Sequence, residues 1–230
     1  MKRWPRISAR ARQLHASAIV VDTHIDTVLD LVNHRRRLGE RSRDGHADLP
    51  RLREGGVDVQ FFAHYIEPEY KPDRALPRFL ELLDAFLAEA EACSEHMRVV
   101  TSYRELIETV EQGKLAAIIS IEGGEALAGR LEVLRIFYRL GVRAIGLTWN
   151  ERNDIADGVG EARSAGGLTN FGRRLIREMN RLGILIDVSH LAEPGFWDVL
   201  EETSAPIIAS HSNARAVCDH VRNLTDEQIK

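Results

Sequence analysis

The chain has 230 residues, 44% of them hydrophobic and 29% charged, and a formal net charge of -4. This supports one large cored domain or two small ones and excludes a disordered chain, while the slight acidic excess argues against a nucleic-acid partner. Two cysteines, Cys93 and Cys218, cannot build a disulfide scaffold, so a reducing, cytoplasmic setting is expected; no apolar run approaches the roughly 20 residues of a membrane span, so no membrane partner is expected.

The first 17 residues read as a basic, helical lead-in, and Met1–Arg12 leads into no apolar stretch of the signal-peptide kind. Short runs rich in Val and Ile follow along the chain: Ala18–Asp22, Val57–Phe62, Leu115–Ile121, Val142–Thr148, Ile184–Val188 and Pro206–Ala209. They are too continuous to be half exposed, which suits strands buried on both faces of a parallel sheet. His34–Arg53 is polar and arginine-rich and reads as a surface loop. Helical spacing marks Arg74–Met97, Leu131–Leu140, Asn170–Leu182 with Gly183 as its stop, and Pro194–Glu202. Asn150–Leu168 is long for a βα loop. Thr225 and Gln228 form a capping box that opens a helix two residues before Lys230, which suggests that sequence is missing. The alternation of strands and helices predicts an α/β fold with crossover connections. Six strands are too few for a parallel (β/α)8 barrel of the TIM type, which closes with eight, so the chain is either the first six βα units of such a barrel or an open sheet with a natural end. The chain is read as a single, incomplete barrel domain.

In such folds the active site lies at the C-terminal ends of the strands. The first run leads into His24 and Asp26, the third into Glu122, the fifth into His190 and the sixth into His211. Residues i and i+2 of an extended chain point to the same side, so His24 and Asp26 can meet on one ion. His190 and His211 could hold a second, with Glu122 bridging; imidazole and carboxylate together suit zinc. His46-Ala47-Asp48 repeats the spacing without a strand before it and reads as structural. His64 could reach the rim, to pack or to touch substrate. Asp22 and Asp187, within apolar strands, either orient metal-bound imidazoles or cap backbone groups. Arg222 and Arg215 could grip a substrate carboxylate or be solvated charges. Trp149 and Asn150 end the fourth run and should line the rim, although Trp149 could equally be packing.

The blocks VVDTHIDT (Val20–Thr27), HADLPRLREGGVDVQFFAHY (His46–Tyr65), IISIEGG (Ile118–Gly124), GVRAIGLTWNERNDIADG (Gly141–Gly158), LIDVSH (Leu185–His190) and APIIASHSNARAVCDHVRNLTDEQI (Ala205–Ile229) together resemble the membrane (renal) dipeptidase family of zinc peptidases. The resemblance implies a (β/α)8 barrel with two zinc ions per chain, bridged by Glu122, with His24 and Asp26 on one zinc and His190 and His211 on the other. It implies that Arg222 holds the terminal carboxylate of a dipeptide, and that a hydroxide between the zincs attacks the peptide carbonyl. Trp149 stands where familiar mammalian members carry a histidine. The family's proton-transferring aspartate is expected beyond Lys230, and the mammalian membrane anchor has no counterpart. The function expected is a zinc-dependent dipeptidase, possible as a homodimer. The alternatives are an amidohydrolase or lactamase acting on cyclic amides, and a non-catalytic truncated homologue.

Overall fold

The computed structural model describes residues 7–230; Met1–Arg6, the start of the expected basic lead-in, lies outside the described residues. The remainder of the lead-in is helical. Helix α1 (Ala9–Ser17) is capped by Ser8 Oγ, which accepts the N–H of Ala11 at 3.1 Å, and it buries no residue.

Six parallel strands make one sheet: β1 (Val21–Ile25), β2 (Val59–Tyr65), β3 (Met97–Val99), β4 (Leu115–Glu122), β5 (Val142–Gly146) and β6 (Leu185–Asp187). The path runs β1-β2-β4-β5-β6, while β3 lies off it and pairs with the first residues of β4. The run Pro206–Ala209 forms a parallel bridge and no strand. Ile208 N–H donates to Ile186 O, and Val188 N–H to Ile208 O, each at 2.9 Å. The result is a parallel α/β half-barrel of the TIM type, as expected.

Every residue of β4 is buried. One side of the sheet, with Phe62, Ile119, Ile121, Ile145 and Ile186, belongs to a large core shared with α4 (Ala75–Ala92), α6 (Leu131–Arg139), α7 (Asn170–Leu182) and α8 (Glu193–Glu202). Residues of opposite parity, Val59, Phe61, Ala116, Ile118 and Ala144, form a second, inner cluster closed by Leu106 and Val110 of α5 (Tyr103–Glu111). Continuous apolar runs are thus the local signature of strands covered twice.

Several expectations need correction. The helix expected over Arg74–Met97 ends at Ala92; a turn follows, and Met97 starts β3, whose three residues are too few to give a strand pattern. The strands of the first two runs sit later than the runs suggest, so His24 and His64 lie inside β1 and β2. His34–Arg53 is only partly a surface loop. Leu38, Asp48 and Leu49 are fully buried, and α3 (Leu49–Gly55) starts within it. Two carboxylates fold this segment inward. Glu89 of α4 accepts the N–H of Leu38 at 2.8 Å and of Gly39 at 3.3 Å, and Asp48 caps α3 through the N–H of Arg51 at 2.9 Å. Asp48 is therefore structural, as its strandless context suggests. The short helix α2 (Val28–Val32) follows β1, and α9 (Asp226–Ile229) carries the Thr225–Gln228 capping box. Among the described residues no helix is long and apolar enough to cross a membrane.

Candidate metal centre

Glu122, the last residue of β4, stands at the middle of the strand ends and is nearly buried. Three imidazoles converge on its carboxylate. His190 Nε2 lies 3.0 Å and His211 Nε2 3.4 Å from Oε1, while His24 Nε2 lies 3.5 Å from Oε2. His190 Nε2 and His211 Nε2 are 2.9 Å apart, and the rings of His24 and His211 stack at 3.8 Å between centroids. Asp26 meets the group only through His24, its Oδ1 being 3.4 Å from Nε2, and its side chain is 56% exposed. His24, Glu122 and His211 each offer a ligand atom within 4.8 Å of the others.

The other nitrogens of two of these rings are already committed. His190 Nδ1 donates to Asn150 Oδ1 at 2.8 Å, and His211 Nδ1 to Ser210 Oγ at 2.8 Å. That leaves both Nε2 lone pairs facing each other and Glu122 Oε1. Such a convergence repels itself unless a cation lies among the three atoms, so the residues present fit a bound metal ion.

Electrostatics favour the ligating forms of Glu122 and His190, but the protonated form of His24. Burial pushes the Glu122 carboxyl up, but with no ion bound the hydrogen bonds that His190 and His211 give when Nε2 is protonated, and the charge of His24, outweigh it and hold Glu122 well below the usual carboxylate range. Burial, with help from the Arg222 charge, holds His190 down, towards the neutral ring a metal needs, against the pull of Glu122. For His24 burial acts downward, yet the Asp26 hydrogen bond and the Glu122 charge raise it.

Backbone geometry supports the same point. His190 adopts φ +69°, a left-handed conformation that costs a non-glycine residue of order 1–3 kcal/mol and is kept where surrounding contacts over-determine it. The contacts come from the long loop after β5. Val159 N–H donates to His190 O at 2.8 Å, and Gly158 bridges Leu191.

Asp187 ends β6 and caps backbone groups, reaching His211 only through the Ser210 hydroxyl. Its Oδ1 accepts the N–H of Ser189 and of Ser210, each at 3.0 Å, and Oδ2 accepts Ser210 Oγ at 2.5 Å. Asp22 accepts the N–H of His24 at 3.0 Å and Gln60 Nε2 at 2.7 Å, and makes no contact with an imidazole. His64 faces the helices and not the rim. It is fully buried beside Phe79 and Phe86, with Nδ1 shared between the carbonyls of Phe62 and Ser120.

Arg222 Nη2 donates to His211 O at 3.3 Å, which brings the guanidinium to the centre; burial pushes its pKa down. Arg215 is turned away, donating to Asn223 O at 3.0 Å. Trp149 walls the rim between His190 (5.8 Å between centroids) and Tyr65 (5.1 Å). Asn150, expected at the rim, is committed to His190. Sequence reasoning misses Ser210 and Tyr65. Ser210 directly precedes His211, and Tyr65 pairs in register with Glu122 at the end of its own strand.

A half-barrel of parallel strands with a histidine–carboxylate cluster at their C-terminal ends defines a TIM-type protein with a candidate metal centre. Comparison with known proteins makes the assignment specific. The membrane dipeptidase family (peptidase family M19) matches residues 8–230, and the chain belongs to that family, a family of metallopeptidases. It is 37% identical over 236 residues to dipeptidase 3 of Mus musculus, covering 98% of this chain and 47% of that protein. The chain thus spans about half the length of the curated relatives it matches. Two solved structures superpose with a TM-score of 0.84 each. One is a metallopeptidase from Rhodobacter sphaeroides liganded with a phosphinate mimic of the dipeptide L-Ala-D-Ala, at 32% identity over 92% of this chain and 70% of that one. The other is the metallopeptidase dipeptidase AC, at 33% identity over 93% and 68%.

Proposed function

We propose that this chain carries the metal centre and substrate rim of a zinc-dependent dipeptidase. The observation behind this is Glu122, a single carboxylate with three imidazole Nε2 atoms within 3.5 Å at the strand ends. Two zinc ions per chain are proposed, one held by His24 and Asp26, the other by His190 and His211, with Glu122 shared. When bound there, zinc supplies Lewis acidity toward a carbonyl and lowers the pKa of water.

The chain's own residues prepare that chemistry. Asn150 and Ser210 fix the tautomers of His190 and His211, so that both Nε2 atoms face inward. Arg222, beside His211, is suited to grip a dipeptide's terminal carboxylate with its planar fork. Trp149 and Tyr65 exclude water from the side of His190. The dipeptide mimic bound to the Rhodobacter relative supports a dipeptide as the substrate. A cytoplasmic setting is part of the proposal, supported by two free cysteines.

No residue of this chain is assigned the proton transfer, so metal content is the first readout and hydrolysis the second. After zinc dialysis, about two zinc ions per chain are expected, together with hydrolysis of L-Ala-D-Ala. His190→Ala should abolish hydrolysis and lower the zinc content while leaving far-UV circular dichroism unchanged. Full activity in that variant overturns the assignment.

A further inference from the structure

Three loops leave the sheet around Glu122, those after β2, β4 and β5, and one side chain joins them. Lys71, in the loop after β2, places Nζ 3.3 Å from Glu125 Oε1 and 3.6 Å from Glu151 Oε2. The same ammonium lies over the ring of Tyr65 at 5.1 Å and of Trp149 at 5.4 Å. The Lys71 side chain is 12% exposed and that of Glu125 5%. Ordering a long side chain costs rotamer freedom, and burying its ammonium costs hydration. Two carboxylates and two aromatic faces offset both costs, and ring faces hold a cation more firmly once water is excluded.

Each of these contacts ends beside a residue of the metal centre. Tyr65 pairs in register with Glu122. Glu125 lies in the turn just after Glu122, with Oε2 packed over Gly123; a Cβ at Gly123 would collide with that oxygen, and φ there is +87°. Glu151 follows Asn150, whose Oδ1 accepts Nδ1 of His190. Trp149 precedes Asn150 and packs on His190 and Tyr65. Lys71 forms its ion pairs with Glu125 and Glu151 and not with Glu122, so it acts on the centre only through other residues.

The two rings are what Lys71 fixes most directly. Tyr65 and Trp149 are each only partly buried, and side chains short of full burial change rotamer readily. A cation shared between the two faces holds them at their mutual tilt of 54°. The metal-facing histidines keep partners of their own, Asn150 for His190 and Ser210 for His211, so loss of Lys71 falls on the rim and not on the metal. We propose that Lys71 is a positioning residue of this centre: its ammonium locks Tyr65 and Trp149 into a fixed wall of the substrate rim and so governs how tightly substrate binds, without touching substrate. The effect on substrate rests on the dipeptidase reading; the fixing of Trp149 does not.

Removing Lys71 alone strands the buried Glu125 charge and can unfold the chain. The test variant is therefore Lys71→Met combined with Glu125→Gln, in the zinc-loaded protein. Its zinc content and melting temperature should stay near those of the wild type, while KM for L-Ala-D-Ala rises about tenfold with kcat nearly unchanged. Lys71→Arg, which keeps the charge and can stack on both rings, should keep most of the wild-type affinity. A second readout needs no turnover. In a background of Trp4→Phe and Trp197→Phe, Trp149 is the sole indole, and acrylamide should quench it several-fold more strongly in the double variant than in the parent. Unchanged quenching overturns the proposal whatever KM does, and stronger quenching with an unchanged KM overturns the role in substrate binding. A parallel fall in zinc content, kcat and melting temperature marks a pair that merely braces the loops, and overturns it too. If the wild type hydrolyses no dipeptide, the dipeptidase reading fails, and the quenching alone decides whether Lys71 fixes Trp149.

Discussion

Ser210 donates its hydroxyl proton to Asp187 Oδ2 at 2.5 Å while its oxygen stands 2.8 Å from His211 Nδ1. The other Asp187 oxygen takes the N–H groups of Ser189 and Ser210, the residues immediately before His190 and His211. One buried carboxylate therefore joins the ends of two neighbouring chain segments and aims both of their histidines. Partners of this kind, one step removed from a metal, typically contribute 10–100-fold in metal affinity. Ser210→Ala is expected to weaken zinc binding by about that factor, measured by chelator competition, whereas Ser210→Thr, which keeps the hydroxyl, should restore it.

Gly158 has an ordinary backbone conformation but no room for a side chain. A Cβ there would stand 2.1 Å from Trp149 O and 2.5 Å from Asn150 C. Both obstacles are backbone, so the chain just after β5 must shift. Gly158→Ala should displace Asn150 from His190, cost about 1–3 kcal/mol of stability, and lower zinc affinity along with it. Thermal unfolding and chelator competition check both. An unchanged melting temperature would show that the loop can yield.

His64 predicts how stability depends on pH near neutrality. Burial pushes its imidazole down to about 4, against the pull of its bonds to the carbonyls of Phe62 and Ser120. Above the ordinary histidine value, about 6.5, the ring is neutral in both folded and unfolded chains and contributes nothing. As pH falls from there toward 4, only the unfolded chain takes up the proton, so folding stability should decline by up to about 3 kcal/mol. Urea unfolding across this range gives the slope, and the ring's NMR resonances should not titrate above pH 5.

Asp48 acts at lower pH. Burial raises its carboxyl, but the Arg51 guanidinium and the N–H groups of Ser42 and Arg51 outweigh that and hold it at about 2, below its usual 3.8. Its stabilisation is therefore complete above pH 4 and is lost as pH falls toward 2. Asp48→Asn should be less stable than the wild type at pH 7 by about 1 kcal/mol, the ordinary worth of a helix cap. The gap between the two should narrow at pH 2.5. A gap that does not change with pH would mean that the ionised form is not what caps α3.

The residue types of the centre and the strands that deliver them are local properties, and the sequence by itself determined them. Continuous Val- and Ile-rich runs mark segments buried in the sheet, although Pro206–Ala209 forms only a bridge, and His24, Glu122, His190 and His211 follow directly on those runs. A hydrogen-bonding side chain at a strand end needs no distant partner to be recognised. The direction a side chain faces, and what it meets there, were decided only by the tertiary structure. His64 lies one residue before the end of its strand, yet it faces the helices because register with β4 sets the parity. The segment His34–Arg53 looks like solvent loop until Glu89, some fifty residues away, supplies acceptors for its N–H groups. β3 is too short to announce itself and exists because β4 offers it an edge. Ser210 becomes a link between Asp187 and His211 only once β6 and Ile208 are bridged. Burial and helix starts follow from neighbours in sequence, whereas facing, pairing and charge balance depend on residues that the chain brings together across long separations.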